Sequence, residues 1–267
     1  MFGYISHDIN ELDGQISYFI ELAWTEGEPK WLVGDLLSGA SYFLNRRRIL
    51  SGSWKLFSIW DGMEMSTQAR PLPVGALFAV CGFFVQAGKH RAALSSFVAF
   101  SCLLRTGEML TMAWHHIVAG SSEWVLSLPD TKGGKRKRCL DKVTIDDPAV
   151  QRLLASFAHS AQPMDRLLDL SGPAFRNLWS NAMNALELSS FGMKPYSLRR
   201  GGATFDFKAH GNLDRTVVRG RWESQKIARI YIQGGSEALT KLQLSDTARL
   251  RIAEYGGIWR SFMQSSI

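Results

Sequence analysis

Apolar residues recur at helical spacing along most of this chain, and one stretch, between Trp124 and Ile145, alternates instead. That contrast constrains the fold before any other feature does, because a period of 3.6 builds amphipathic helices and a period of 2 builds half-buried strands. Through Trp60 the pattern gives three or four short helices. Asn10 is placed to cap one whose apolar side holds Leu12, Ile16, Phe19 and Ile20, and a second runs through Trp31, Leu32, Leu36 and Leu37 towards Leu44. A further short helix carries Trp54, Leu56, Phe57 and Trp60. Periodicity is lost from Met63 to Pro73, where the chain reads STQARPLP, so a domain boundary is expected there. The division is a helical domain over 1–70 and a second domain over 71–267.

From Pro73 two strongly apolar helices follow, broken near Gly88 and Lys89, the second running from His90 to Leu104. Arg105 ends that run, with Glu108 three residues on as a partner for its guanidinium at a helix junction. The segment MLTMAWHHI after it reads as an amphipathic helix. Trp124 to Leu128, a Gly-Gly turn, and Arg138 to Ile145 read as a hairpin, with Lys132, Lys135, Arg136 and Lys137 at its tip. Asp146, Asp147 and Pro148 start a helix through Val150, Leu153 and Leu154, and Ser171 and Pro173 start another through Phe175, Leu178 and Met183. The expected class is mainly α with a small β-hairpin or sheet (α+β), and a hydrophobic fraction of 46% supplies its core.

Chemistry concentrates between Pro195 and Tyr231. Arg199 and Arg200 open a helix there, and a planar guanidinium can grip two phosphate oxygens at once. Tyr196 lies about one turn before Arg199 and should share its face, while Gly201, Gly202 and Ala203 permit close approach by another backbone or a ligand. Downstream, Trp222 offers an indole N–H, and Tyr231 a phenol on a side it shares with Ile227 and Ile230. An Arg, a Trp donor and a Tyr hydroxyl around one phosphate suit nucleophilic attack by the phenol, leaving a phosphotyrosine. A net charge of +7 with a pI near 9.4 favours a polyanionic partner. His115 and His116 are adjacent and point apart on a helix, with no further Cys or His at ligand spacing, so neither a metal nor a cofactor is expected. Cys81, Cys102 and Cys139, irregularly spaced, read as buried free thiols suited to a reducing compartment. The N-terminus lacks a basic leader, and no run reaches membrane-spanning length. A soluble intracellular protein is expected, in the cytoplasm of a prokaryote or the nucleus of a eukaryote.

Taken in order, an Arg with Glu three residues on, a Lys on a hairpin turn, an aromatic-x-x-Arg box, a Trp and a final Tyr resemble the catalytic domain of the tyrosine recombinase (phage integrase) family. The helices before Pro73 look like that family's core-binding DNA-binding domain. The resemblance implies that Arg105 and Arg199 are the two catalytic arginines and Lys132 the hairpin lysine that protonates the 5′ leaving oxygen. It further implies that Trp222 donates to a nonbridging phosphate oxygen and that Tyr231 is the nucleophile. Tyr196 stands where the family usually has His, as a base or as a group orienting the phosphate. Arginines nearby would lower its pKa. Lys135, Arg136, Arg200 and Arg221 are expected on the DNA backbone. The implied function is site-specific cutting and rejoining of duplex DNA, without metal, through a 3′-phosphotyrosine, by a protein of a mobile element. The alternative is a decayed or domesticated recombinase that only binds DNA. A C-terminal helix starting at Ser236, through Leu239, Leu242 and Leu244 towards Ala253, would dock on a neighbouring subunit in a tetramer or pack on its own domain.

Overall fold

The structure, a computed structural model, describes residues 8–44, 49–63, 69–121, 123–128 and 141–265. The chain divides into two compact units, Met1–Gln68 and Ala69–Ile267. Three helices make the first: α1 (Ile9–Thr25), α2 (Lys30–Phe43) and α3 (Ser51–Met63). Their shared core holds Ile16, Ile20, Val33, Leu37, Leu50 and Trp60. The cap of α1 is Asp8, not Asn10: the Asp8 carboxylate accepts from the Asn10 N–H, so the first turn begins two residues earlier than expected. The Asp13 carboxylate accepts from the main-chain N–H groups of Gly52 (2.8 Å) and Ser53 (2.9 Å), tying the middle of α1 to the start of α3.

The second unit is built around α4 (Val74–Gln86) and α5 (His90–Ser101), which lie in its core. The helix before Arg105 therefore stops three residues short of Leu104. Leu103 takes a left-handed φ of 50°, and the N–H of Leu104 returns to the carbonyl of Ala99 (2.9 Å), which closes the helix end. Next come α6 (Thr106–Thr111), a 3-10 turn (Trp114–His116), and the strands β1 (Ile117–Ala119), β2 (Trp124–Leu128) and β3 (Asp141–Thr144). The strands form one antiparallel sheet in the order β1-β2-β3, with Ile117 opposite Leu126 and Leu126 opposite Val143.

The expected helix through MLTMAWHHI is corrected here, since only its first residues stay helical. The main chain of Met112 to His115 pairs instead with the segment around Asp165: Trp114 donates to Asp165 (3.1 Å), His115 to Pro163 (2.9 Å), and Met112 accepts from Leu167 (2.8 Å). Tertiary main-chain pairing outweighs local helical spacing.

Then follow α7 (Pro148–Ala158), α8 (Gly172–Ala185), α9 (Ser197–His210), α10 (Leu213–Gly220), α11 (Gln225–Tyr231), α12 (Gly234–Leu242) and α13 (Asp246–Ser265). The single C-terminal helix expected from Ser236 is two, because the Ser245 hydroxyl caps a new start at the Ala248 N–H (3.0 Å). The second of them, α13, lies along α4: a Cβ on Gly82 would fall 1.8 Å from the Tyr255 carbonyl oxygen, and Trp259 is buried against Phe97. Among the described residues no helix is long and apolar enough to cross a membrane. Cys81 and Cys102 are buried free thiols, with burial pushing Cys102 up to about 11, and Cys139 lies outside the described residues.

Two glycines set the depth at which α9 sits. A Cβ on Gly201 would meet the Leu72 carbonyl oxygen at 2.2 Å, and one on Gly202 would meet that of Phe100 at 2.1 Å. The small residues thus admit neighbouring backbone, and this anchors the helix that carries Arg199. Gly202→Ala is expected to lower the unfolding free energy by about 1–3 kcal/mol, read as a lower urea midpoint.

Candidate active site

Tyr196 immediately precedes α9, and Arg199 and Arg200 lie in its first turn. Arg199 is almost wholly buried, at 1% exposure. One guanidinium nitrogen donates to the Leu103 carbonyl and the other to that of Gly220 (2.6 Å). Among the described residues it has no ion-pair partner. Both acceptors sit where helices end, at the close of α5 and of α10, where carbonyls lack partners within the helix and the helix dipole is negative. Each end depends on a non-glycine residue in the left-handed region, Leu103 (φ 50°) and Arg221 (φ 56°). Backbone of this kind, at two points around one side chain, marks a place where the fold gives up local comfort for geometry.

Trp222 follows directly. Its ring folds over Gly220, where a Cβ would come within 1.9 Å of it, and the Arg199 Cζ lies 4.8 Å from the ring centroid. The indole is buried and its Nε1–H makes no hydrogen bond of ordinary geometry among the described residues. Tyr231, the last residue of α11, stands 4.7 Å from Trp222 between ring centroids and 5.5 Å from the Arg199 Cζ. Thr204 of α9 donates to the Tyr231 carbonyl (3.3 Å) and accepts from the Gln233 N–H (3.1 Å), fixing that helix end. Ile227 and Ile230 do not join Tyr231 in a buried stripe; both are exposed, and Ala228 is the residue that packs inward. The Tyr196 hydroxyl donates to the Tyr231 hydroxyl at 2.6 Å.

Arg105 precedes α6 and pairs with Glu108 (2.7 Å), as its spacing suggested, with about a third of its side chain open to solvent. The same carboxylate accepts from the Arg105 main-chain N–H (2.8 Å) and from Arg221 (2.7 Å). Arg221, expected on the DNA backbone, is instead turned inward: its side chain is buried, and it donates to Glu108 and to the Leu103 carbonyl (3.3 Å). The left-handed backbone aims it that way. Arg219 is likewise turned onto the protein, donating to the Ser101 carbonyl (2.8 Å) and pairing with Asp146 (2.6 Å). Arg200 is buried too, its Cζ 5.4 Å from the Tyr231 ring and 6.0 Å from that of Tyr196. Lys132, Lys135 and Arg136 lie outside the described residues, as does the Arg138–Leu140 part of the expected second strand. The fold thus gathers Arg105, Arg199, Trp222 and Tyr231, with Tyr196, Arg200 and Arg221 beside them.

Charge and burial tune these groups. Burial, with repulsion from Arg221 and Arg105, brings Arg199 down to about 10, which leaves it charged at neutral pH. Burial and the bond to Tyr231 push Tyr196 up to about 12, opposite to the lowering expected from its arginines. For Tyr231 burial also acts upward, yet the bond from Tyr196 and the charge of Arg199 hold it below the ordinary phenol value. Among the described residues, no cluster of three or more His, Cys, Asp and Glu could hold a metal ion.

No protein-family model and no curated protein matches the sequence. Solved structures do: the chain has the tyrosine recombinase fold. It is similar to XerH site-specific recombinase bound to palindromic difH substrate in a post-cleavage complex, with 12% identity and a TM-score of 0.52 over 81% of this chain and 72% of that one. It is similar also to XerH bound to difH in a pre-cleavage complex, with 13% identity and a TM-score of 0.51 over 82% and 71%.

Glu108 is the counter-charge for two arginines and lies 8% exposed. Glu108→Ala should therefore cost about 3–5 kcal/mol of stability, seen in chemical denaturation as an early loss of the second unit.

Proposed function

We propose that the chain cuts and rejoins duplex DNA as a site-specific recombinase, with Tyr231 as nucleophile. The observation that carries this reading is the buried guanidinium of Arg199 beside the Tyr231 phenol, without a carboxylate partner among the described residues, since such a charge is costly to keep unless an anion is to be bound there. A phosphodiester entering between Arg105, Arg199 and the Trp222 indole would meet donors on its nonbridging oxygens. The Tyr231 oxygen forms a bond to phosphorus as the bond to the 5′ oxygen breaks, giving a 3′-phosphotyrosine; a second 5′ hydroxyl reverses the step and rejoins the strands. The phosphorane carries more negative charge than the diester, so preorganised donors favour it over the ground state. Each donor contributes about 3–4 kcal/mol by analogy with oxyanion holes. In this reading Lys132 protonates the leaving 5′ oxygen, and Lys135 and Arg136 meet the DNA backbone.

The division of charge supports a particular distribution of DNA contacts. The first unit carries 5 Lys and Arg against 9 Asp and Glu, and the second 26 against 15. The second unit then provides most of the attraction to DNA, and the first makes its contact through Arg46, Arg47 and Arg48, three of its five cations. Self-association on DNA would use α12, whose Leu239 and Leu242 are exposed, because the inner face of α13 is already spent on α4.

The test is incubation of the full chain with nicked suicide duplexes taken from sequence flanking its gene, read as a covalent adduct on a denaturing gel. Tyr231→Phe is expected to abolish the adduct and leave salt-sensitive binding intact. Arg199→Ala should slow adduct formation by about 10²–10³-fold. Salt-sensitive binding with no wild-type adduct across a target library would favour the binding-only alternative.

A further inference from the structure

We propose that Tyr196 is a positioning residue for Tyr231, the donor that fixes the Tyr231 oxygen and keeps its own proton while the part-exposed Tyr231 gives its proton up to solvent water. This rests on the reading of Tyr231 as the nucleophile. The family resemblance implies a base or a phosphate-orienting group at position 196; the geometry points to a donor to the Tyr231 hydroxyl instead.

The two phenols meet hydroxyl to hydroxyl at 2.6 Å, with Tyr196 donating, and their ring planes are inclined by 59°. Neither partner is free to drift. Tyr196 is tethered at the start of α9, where the neighbouring Ser197 carbonyl accepts from Leu72 (3.1 Å) and its N–H donates to Lys194 (2.7 Å). Tyr231 is held through its own carbonyl by Thr204. A donor fixed in this way occupies one lone pair of the Tyr231 oxygen and leaves another for phosphorus.

The surroundings decide which phenol keeps its proton. Arg199 and Arg200 of α9 both face the Tyr231 ring, at 5.5 and 5.4 Å, and Arg105 at the start of α6 adds its charge. Glu108 of α6 is committed to Arg105 and Arg221, the latter at the end of α10. Tyr231 therefore has both the cations and the incoming hydrogen bond, and an anionic oxygen is favoured there. Tyr196 also feels Arg199 and Arg200, the latter 6.0 Å from its ring, but burial and the outgoing bond outweigh them and favour the protonated phenol. The directions agree: Tyr196 is pushed up to about 12 and Tyr231 is held below its ordinary value. A phenol so raised cannot accept a proton at neutral pH, but it can stabilise a phenolate across a short hydrogen bond.

The experiment is a DNA-free titration of the full chain carrying tyrosine labelled with carbon-13 at Cζ, with resonances assigned by Tyr196→Phe and Tyr231→Phe. The expected result is that Tyr231 ionises at lower pH than Tyr196. In Tyr196→Phe, which keeps the ring and removes the donor, Tyr231 should ionise about one pH unit or more higher. Ionisation of Tyr196 first, or an unchanged Tyr231 in the variant, would overturn the proposal. Should Tyr196→Phe not fold, Tyr231→Phe still assigns the Tyr231 resonance, and its ionisation above the ordinary phenol range would overturn the proposal. With DNA present, the pH at which adduct formation reaches half its maximum should rise together with the Tyr231 ionisation. A wild-type protein that gives the expected titration and no adduct at any pH contradicts the recombinase reading alone.

Discussion

The burial of one guanidinium organises the second unit. Taking an ion out of water costs several kcal/mol after relaxation, and Arg199 recovers part of that through two main-chain carbonyls and, among the described residues, no carboxylate. Those carbonyls exist at the right place because α5 and α10 both end there, each with a left-handed residue at the turn. Carbonyls spread no full negative charge, so the cation is held in position without being neutralised. A carboxylate in their place would have made an internal salt bridge and left little attraction for a phosphate.

The neighbouring arrangements follow from the same constraint. Three arginines converge, and like charges at this spacing repel, which shows in the effect of Arg221 and Arg105 on Arg199. Glu108 answers for two of them and leaves the third to the site. Gly201 and Gly202 let α9 approach the Leu72 and Phe100 carbonyls, which sets the level of Arg199, and Gly220 lets the Trp222 ring close over the turn that holds it. Tyr231 then needs only the end of α11 to be pinned, and Thr204 does so from α9. Rigid supports thus come from helix ends and small residues, while the groups that could meet a phosphate are few and convergent.

Much of this was legible in the sequence for reasons that can be stated. Helical spacing and one alternating stretch gave the mainly α fold with its antiparallel β2 and β3, and the Arg105–Glu108 pair followed from their three-residue separation. What escaped was set by tertiary contact. Met112 to His116 leaves the helical pattern because a distant segment offers main-chain partners, and β1 forms after it. Arg221 reads as one more surface cation, since nothing in its local spacing says that its φ is positive or that Glu108 waits 113 residues away. The Gly-Arg-Trp run was the available signal: a glycine just before a bulky ring suggests a close fold-back. Position 196 misled for a related reason. Nearby arginines argue for a more acidic phenol, but burial and the direction of one hydrogen bond reverse the sign.

The most direct test is the identity of the residue that carries DNA. The covalent complex formed on a nicked duplex would be trimmed by nuclease and protease, and the modified peptide sequenced by mass spectrometry. The account predicts a nucleotide joined through its 3′ phosphate to Tyr231. A nucleotide on Tyr196, whose hydroxyl lies 2.6 Å away, or one joined through a 5′ phosphate, would contradict it.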